Sequence, residues 1–291
     1  MKRPYLIIAN LVIALLVFFS GCALLSPTKP FSFFQMADTQ FGFFNADKEF
    51  SRETKNFEEA IAAANRIKPA FVVVCGDLVN KPGDLAQIRE YKRIASKLDP
   101  SIRLYNVSGN HDVENVPSPG SITKYREHFG ADHYTFRSGK LFGIVLNSSL
   151  MKEPGTAPEE AAAQDLWLRS ALEQAKRSNS KSIMVFMHHS LFLSDPDEPD
   201  QYFNLARERR KMYLDLFEKY KVKHVFAGHY HRNAWGRSGN LEMITTGPVG
   251  RPLGSDSSGF RIVTVNGSLV NHKYYRLDSL PQQLDLNGLK R

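Results

Sequence analysis

An α/β domain with at least one largely parallel sheet, enlarged by antiparallel strands, is what this sequence predicts. Three observations predict it. From Phe31 onward, short apolar runs alternate with segments of helical spacing. Five of the apolar runs end on a residue able to bind a metal ion. After His229 the alternation gives way to strands separated by turn signals.

The elements follow in order. Phe33-Phe34-Gln35-Met36-Ala37 leads into Asp38 as a first strand. Residues 49–66 carry Phe50, Phe57, Ile61 and Ala64 at helical spacing, and Lys68-Pro69 ends that helix. The run Phe71 to Gly76 leads into Asp77. A helix over 84–98 is broken by Asp99-Pro100. Leu104 to Gly109 leads into Asn110 and His111. A short helix over 122–129 precedes a hairpin, 134–136 with 141–146, around Ser138-Gly139. A long helix over 159–176 carries Leu166, Leu168 and Leu172. Ile183 to Met187 leads into His188, and a helix over 205–220 sets Met212, Leu216 and Tyr220 on one face. Val225-Phe226-Ala227 leads into Gly228-His229-Tyr230-His231. Strands over 241–246, 260–265 and 269–275 complete the set, with Asn266-Gly267 marking a turn.

Residues 1–21 read as a leader and not as part of the fold. Lys2 and Arg3 precede the apolar stretch Leu6 to Phe19, and Ser20-Gly21-Cys22 follows. The apolar run is short for a membrane span, which needs about 20 residues. The leader resembles a bacterial lipoprotein signal, which implies that Cys22 is acylated and that the protein is held at a membrane of the cell envelope, the outer one where the cell has one. Residues 22–30 then form a tether, 31–277 one domain, and 278–291 a polar tail. With Cys22 lipidated, Cys75 is left without a disulfide partner and packs as a small hydrophobe. Removing 1–21 takes Lys2 and Arg3 from the formal charge of +8 and leaves +6. That excess reads first as a solvated basic surface and also suits anionic lipid or phosphorylated substrates, while no aromatic-rich basic stripe suggests a nucleic-acid groove.

In an extended segment, residues two apart share a face, so His229 with His231, and Asp38 with Gln40, can point into one site. Adjacent His188 and His189 face opposite ways in a regular strand, and His188 is the one expected to reach the site. The gathered ligands are Asp38, Gln40, Asp77, Asn110, His188, His229 and His231. Seven such groups are too many for one tetrahedral zinc and suit two divalent ions of Mn, Fe or Zn character with one carboxylate bridging.

The five motifs in order, Asp38-x-Gln40, Gly76-Asp77-x-x-Asn80, Gly109-Asn110-His111-Asp112, His188-His189 and Gly228-His229-x-His231, resemble the calcineurin-like metallophosphoesterase superfamily. The longer strings around them resemble its calcineurin-like phosphoesterase-domain-containing Ser/Thr protein phosphatase subfamily. The resemblance implies a four-layer αββα sandwich of two mixed sheets. It also implies one metal held by Asp38, Gln40 and His231, a second held by Asn110, His188 and His229, and Asp77 between them. Most of the superfamily has Asp-x-His where this chain has Asp-x-Gln. The same replacement occurs in the resembled subfamily and in manganese-dependent ADP-ribose/CDP-alcohol diphosphatases. A neutral oxygen in place of an imidazole favours harder ions such as Mn²⁺ or Mg²⁺.

The implied activity is dimetal hydrolysis of phosphate esters by a hydroxide shared between the ions, on a phosphorylated small molecule or a phosphoprotein. A phosphomonoesterase is the first expectation. A phosphodiesterase or nucleotide diphosphatase is the alternative, and an inactive lipid-anchored binding protein of the same fold is the third. His111 is the expected general acid, with Asp112 either orienting it or capping a turn. Arg232, Arg251 and His189 are expected to touch substrate, and Phe41, Phe43 and Phe44 to wall the cleft. His128, His133, His224 and His272 are expected to be structural.

Overall fold

The computed structural model describes residues 29–286. The leader, Cys22 and most of the tether therefore lie outside the described residues. Eleven strands and seven α-helices run in the order β1 (Phe31–Met36), α1 (Ser51–Ile67), β2 (Phe71–Cys75), α2 (Leu85–Ala95), β3 (Arg103–Val107), α3 (Asn110–Val113), α4 (Pro119–Phe129), β4 (Tyr134–Ser138), β5 (Leu141–Val145), α5 (Ser148–Lys152), α6 (Pro158–Arg177), β6 (Ser182–Phe186), α7 (Arg207–Lys219), β7 (His224–Ala227), β8 (Ala234–Ser238), β9 (Leu241–Thr245), β10 (Gly259–Asn266) and β11 (Leu269–Arg276).

They form two mixed sheets, β11-β10-β1-β2-β3 and β4-β5-β6-β7-β9-β8. Strands β1 to β3 are parallel to one another, as are β5, β6, β7 and β9, while β10, β11, β4 and β8 pair antiparallel at the margins. Strand parity explains the layers. On β1 and β2, Phe33, Phe71, Val73 and Cys75 point inward and meet Phe186, Phe226 and Ile244 of the other sheet. Phe34, Met36, Val72 and Val74 point outward onto α1 and α2 through Phe57, Ile61, Tyr91 and Ile94. The outer face of the second sheet carries α6 and α7 through Leu168, Leu172, Tyr213 and Phe217. The sandwich is thus αββα, as expected. Burying both faces of each sheet is what makes the strands read as continuous apolar runs.

Gln35 is a polar side chain that crosses the inner core. The Gln35 amide donates to the Ala227 carbonyl at 2.9 Å and its oxygen accepts from the Thr246 hydroxyl. This bond ties the end of β1 to the end of β7 and so aligns the two strand ends that carry Asp38 and His229. Cys75 is free and buried between the sheets, where burial pushes its thiol pKa up.

Two details depart from the sequence reading. Leu166 is 71% exposed on α6, while Leu168 and Leu172 face the core. Strand β8 was not foreseen, because an edge strand pairing only with β9 needs no apolar alternation, and its Trp235 is solvent-exposed. Beyond 277, Leu280 and Leu284 continue to pack on the outer face of the first sheet. His224 is buried, and burial lowers its pKa from 6.5 to about 4. The unfolded chain then binds more protons between those values, so stability is full above 6.5 and falls as pH drops to 4. The stability advantage of the wild type over His224→Gln, read by urea unfolding, should shrink by about 2–3 kcal/mol from pH 7 to pH 4. A difference independent of pH would contradict the buried neutral imidazole.

Candidate dimetal site

The parallel strands of both sheets end at one edge, and there the loops that follow them are stitched together by backbone bonds. Asp38 N–H donates to Gly76 O at 3.0 Å, Gln40 N–H to Asp77 O at 2.8 Å, and Gly228 N–H to His188 O at 3.0 Å. His229 N–H reaches both oxygens of Asp38 at 3.1 Å. Asp38, Gln40, Asp77, His229 and His231 all have positive φ, between 38° and 68°. Non-glycine residues rarely adopt that region, and such strain gathers at functional sites. Gly76 at φ 84° lies against the ring of His188, leaving no room for a Cβ. A Cβ on Gly228 would stand 2.6 Å from Asp38 Oδ2.

Two buried clusters result. Asp77, His188 and His229 bring ligand atoms within 4.8 Å of one another, and so do Asp38, Asp77 and His231. Asp77 belongs to both. His188 Nε2 lies 3.0 Å from Asn110 Oδ1 and 3.3 Å from Asp77 Oδ1, while His231 Nε2 lies 3.3 Å from Asp38 Oδ1. The structure thus brings together the seven residues expected from sequence.

The hydrogen bonds on the far side of each ring decide what this arrangement suits. His188 Nδ1 faces Cys75 O at 2.8 Å, His231 Nδ1 faces Arg251 O at 2.5 Å, and His229 Nε2 faces Tyr202 O at 3.2 Å. A carbonyl only accepts, so in each case that nitrogen carries the proton. The other nitrogen of a neutral ring is then a lone pair turned into the cluster. Anchoring by a backbone carbonyl is how metal-ligating imidazoles are oriented. Gln40 Nε2 donates to Asn80 Oδ1 at 3.2 Å, leaving Gln40 Oε1 as a buried acceptor without a partner. Lone pairs, two carboxylates and an orphaned carbonyl oxygen crowded together fit two divalent cations. If two cations bind, Asp38, Gln40 and His231 would hold one and Asn110, His188 and His229 the other, with Asp77, which belongs to both clusters, available to each.

Charge supports the same fit. Burial disfavours a proton on His188, yet Asp77 outweighs it and raises the pKa to about 9. A cation bound there would take the place of that proton. His229, lacking a carboxylate so near, is lowered to about 3 by burial and by His188.

The other predicted residues fall into place unevenly. His111 donates its backbone N–H to Asp77 Oδ1 at 2.9 Å, and its Nδ1 bonds Asn80 O at 2.7 Å, which leaves Nε2 for the cleft. Asp112 does not orient His111. Its oxygens accept from the N–H groups of Gly109 at 2.8 Å, Leu78 at 3.0 Å and Val79 at 3.2 Å. It therefore caps the turn that fixes the Asp77 loop against the Asn110 loop. Burial, and next the charge of Asp77, raise its pKa to about 7. His189 is buried behind His229, rings 4.4 Å apart, with Nδ1 on Ser148 Oγ at 3.0 Å. That places it as support for a ligand ring in place of the substrate contact expected. Arg232 is held by the Leu253 carbonyl and lies over Tyr230. Arg251 is exposed over Phe43 at 5.3 Å. Phe41 belongs to the core, while Phe43 stands 5.1 Å from the His231 ring, on the rim.

Sequence reading gave no role to Asn80, Asn115, Ser148, Tyr202 or Phe203. Asn115 bonds both Asn110 and Tyr202, and the Tyr202 ring lies 4.9 Å from that of His229. Only Asn80 stood within a motif; the others sit on loops without periodic signal.

Residues 31–233 match the calcineurin-like phosphoesterase family profile. The chain belongs to that family. It is 38% identical over 269 residues to the serine/threonine-protein phosphatase CPPED1 of Danio rerio, covering 87% of each chain. Among solved structures it resembles GAP50, the anchor in the inner membrane complex of Plasmodium, at TM-score 0.66 and 12% identity over 87% of each chain. It also resembles a dimetal phosphatase from Danio rerio at TM-score 0.58 and 17% identity, covering 84% of this chain and 99% of that one. Those two likenesses show the fold; the family and the clustered ligands make this chain a dimetal hydrolase of phosphate esters.

Replacing Gly76 by Ala adds a Cβ against the His188 ring at a strained φ, so divalent-metal affinity should fall at least about tenfold, with a left-handed penalty of about 1–2 kcal/mol on stability. Unchanged metal affinity by titration calorimetry would show that His188 is not a ligand.

Proposed function

We propose that the chain is a phosphomonoesterase, with Mn²⁺ as the preferred ion and phosphorylated small molecules or phosphoproteins as substrates. The observation that carries the reading is the set of three imidazoles, each held by a backbone carbonyl, gathered around Asp38 and Asp77, of which Asp77 is shared between two clusters. The neutral Gln40 oxygen in place of an imidazole supports the harder ion. The ligands lie buried beneath a rim of Phe43, Tyr202 and Phe203. Such depth suits a terminal phosphoryl group better than a phosphate substituted on both sides. The CPPED1 relatives, named for phosphatase activity on serine and threonine, support the same class.

When bound, two divalent cations supply the acidity that makes hydroxide available at neutral pH and offset the charge on the phosphate. The chain supplies the rest. Asp77 fixes the His111 backbone, and Asn80 fixes the His111 ring. Protonated His111 keeps Nδ1 on that carbonyl and presents Nε2–H to the leaving oxygen. Arg251, exposed beside Phe43 and joined through its carbonyl to His231, would meet a phosphate oxygen.

The basic and apolar leader ending at Cys22 supports a lipid-anchored protein of the cell envelope.

His111→Ala should lower turnover of an alkyl phosphate by about 10²–10⁴-fold, with a much smaller loss on p-nitrophenyl phosphate, whose leaving group needs little protonation. Metal content should stay at the wild-type level; loss of metal would overturn the assignment. Metal-depleted protein reloaded with Mn²⁺, Mg²⁺, Fe²⁺ or Zn²⁺ should hydrolyse p-nitrophenyl phosphate well above bis-p-nitrophenyl phosphate and ADP-ribose, fastest with Mn²⁺. The reverse substrate order would favour the diesterase or diphosphatase reading. Recovery with none of the ions would favour an inactive binding protein.

A further inference from the structure

The parallel strands give the domain two unlike ends. One holds the dimetal site. At the other, where β1, β6 and β7 begin, exposed lysines collect. Lys181 precedes β6, Lys223 precedes β7, and Lys29 stands two residues before β1. Lys176, Lys181, Lys219, Lys221 and Lys223 line one open cavity of about 420 Å³. Ser182 belongs to that cavity and also to the neighbouring hollow that contains Lys29, so the six ammonium groups make one face. Lys176 and Lys219 lie over the Tyr220 ring at 6.0 and 5.4 Å.

Nearby acids offset only part of this charge: Glu173 interacts with Lys176 and Lys219, and Glu218 lines the adjoining cavity with Lys221 and Lys223. Glu173 accepts from the Tyr220 hydroxyl at 2.5 Å, and Asp215 pairs with Lys211 at 2.8 Å. Among the described residues, Lys181, Lys221 and Lys223 take part in no ion pair. The chemistry described for the dimetal site uses none of the six.

We propose that this lysine face docks on an anionic phospholipid bilayer, so that the dimetal site opens away from the membrane. The position of the chain's entry argues for that occupant. Phe31 begins β1 at the lysine end, and Cys22 precedes it by nine residues, a reach of at most about 30 Å even when fully extended. An anchor there, which rests on the lipoprotein reading above, holds this end within reach of the headgroups. Each lysine close to an anionic surface adds about a fivefold gain in partition.

The test uses the full chain and vesicles of phosphatidylcholine with or without about a quarter phosphatidylglycerol. Neutral vesicles read the contribution of the N-terminal segment alone. Wild type should partition more strongly onto the anionic vesicles, and added salt should remove the excess. In the K181E/K221E/K223E variant the excess should fall at least about tenfold, while turnover of a soluble phosphomonoester stays at the wild-type level. The milder K181Q/K221Q/K223Q variant should lose part of it, which guards against misfolding in the first. Wild-type turnover should also be unchanged on vesicles, since the site faces outward. Equal partition onto both vesicles, full excess in the charge-reversed chain, or inhibition on docking would overturn the proposal. So would displacement by inorganic phosphate beyond that of chloride at equal ionic strength, which would mark a phosphate pocket instead of a surface. An inactive protein that still shows the lysine-dependent excess would defeat the esterase reading and leave this one standing.

Discussion

Two carboxylates are buried side by side at the edge where the sheets meet, and the rest of the molecule is arranged around that cost. Asp38 and Asp77 are all but fully enclosed, and a buried charge is costly unless it is paired. The nearest side-chain partners are imidazoles: His188 and His231, each held on its far side by a backbone carbonyl, turn the remaining nitrogen toward Asp77 and Asp38. Without cations the cluster depends on protons to hold it together, as the raised pKa of His188 shows. Bound cations would take over that role and give the buried Gln40 Oε1 a partner.

The scaffold makes this possible by geometry rather than by any single strong bond. Parallel strands deliver their C-terminal ends to one edge of each sheet, and residues far apart in sequence meet there. Glycines at 76 and 228 let backbone and ligand approach each other closely. Five ligand residues accept left-handed backbone conformations, a strain sustained by the dense packing of the inner core, where Phe33, Phe71, Phe186 and Phe226 stack and meet edge to face. Gln35 then fixes one sheet against the other near the site.

Much of this was legible in the sequence, for physical reasons. Strands buried on both faces read as apolar runs, and runs that end on Asp, Asn or His announce a site at a strand edge. The seven residues expected at that edge could therefore be named from Asp38 to His231. The residues that hold them from behind could not. Asp112 stands next to His111 in sequence, but one helical turn points its carboxylate back at the backbone of Leu78 and Val79. His189 is adjacent to a ligand and still supports another ring from behind. Asn115, Ser148 and Tyr202 act through loop geometry that no periodicity encodes. β8 was hidden because an edge strand is free of the apolar pattern.

The central claim is that one buried carboxylate serves two cations. Anomalous diffraction from crystals loaded with Mn²⁺ tests it most directly. The account predicts two peaks about 3.5–4 Å apart, with Asp77 touching both, His188 Nε2 on one ion and His231 Nε2 on the other. A single peak, or two peaks that do not share Asp77, would contradict it.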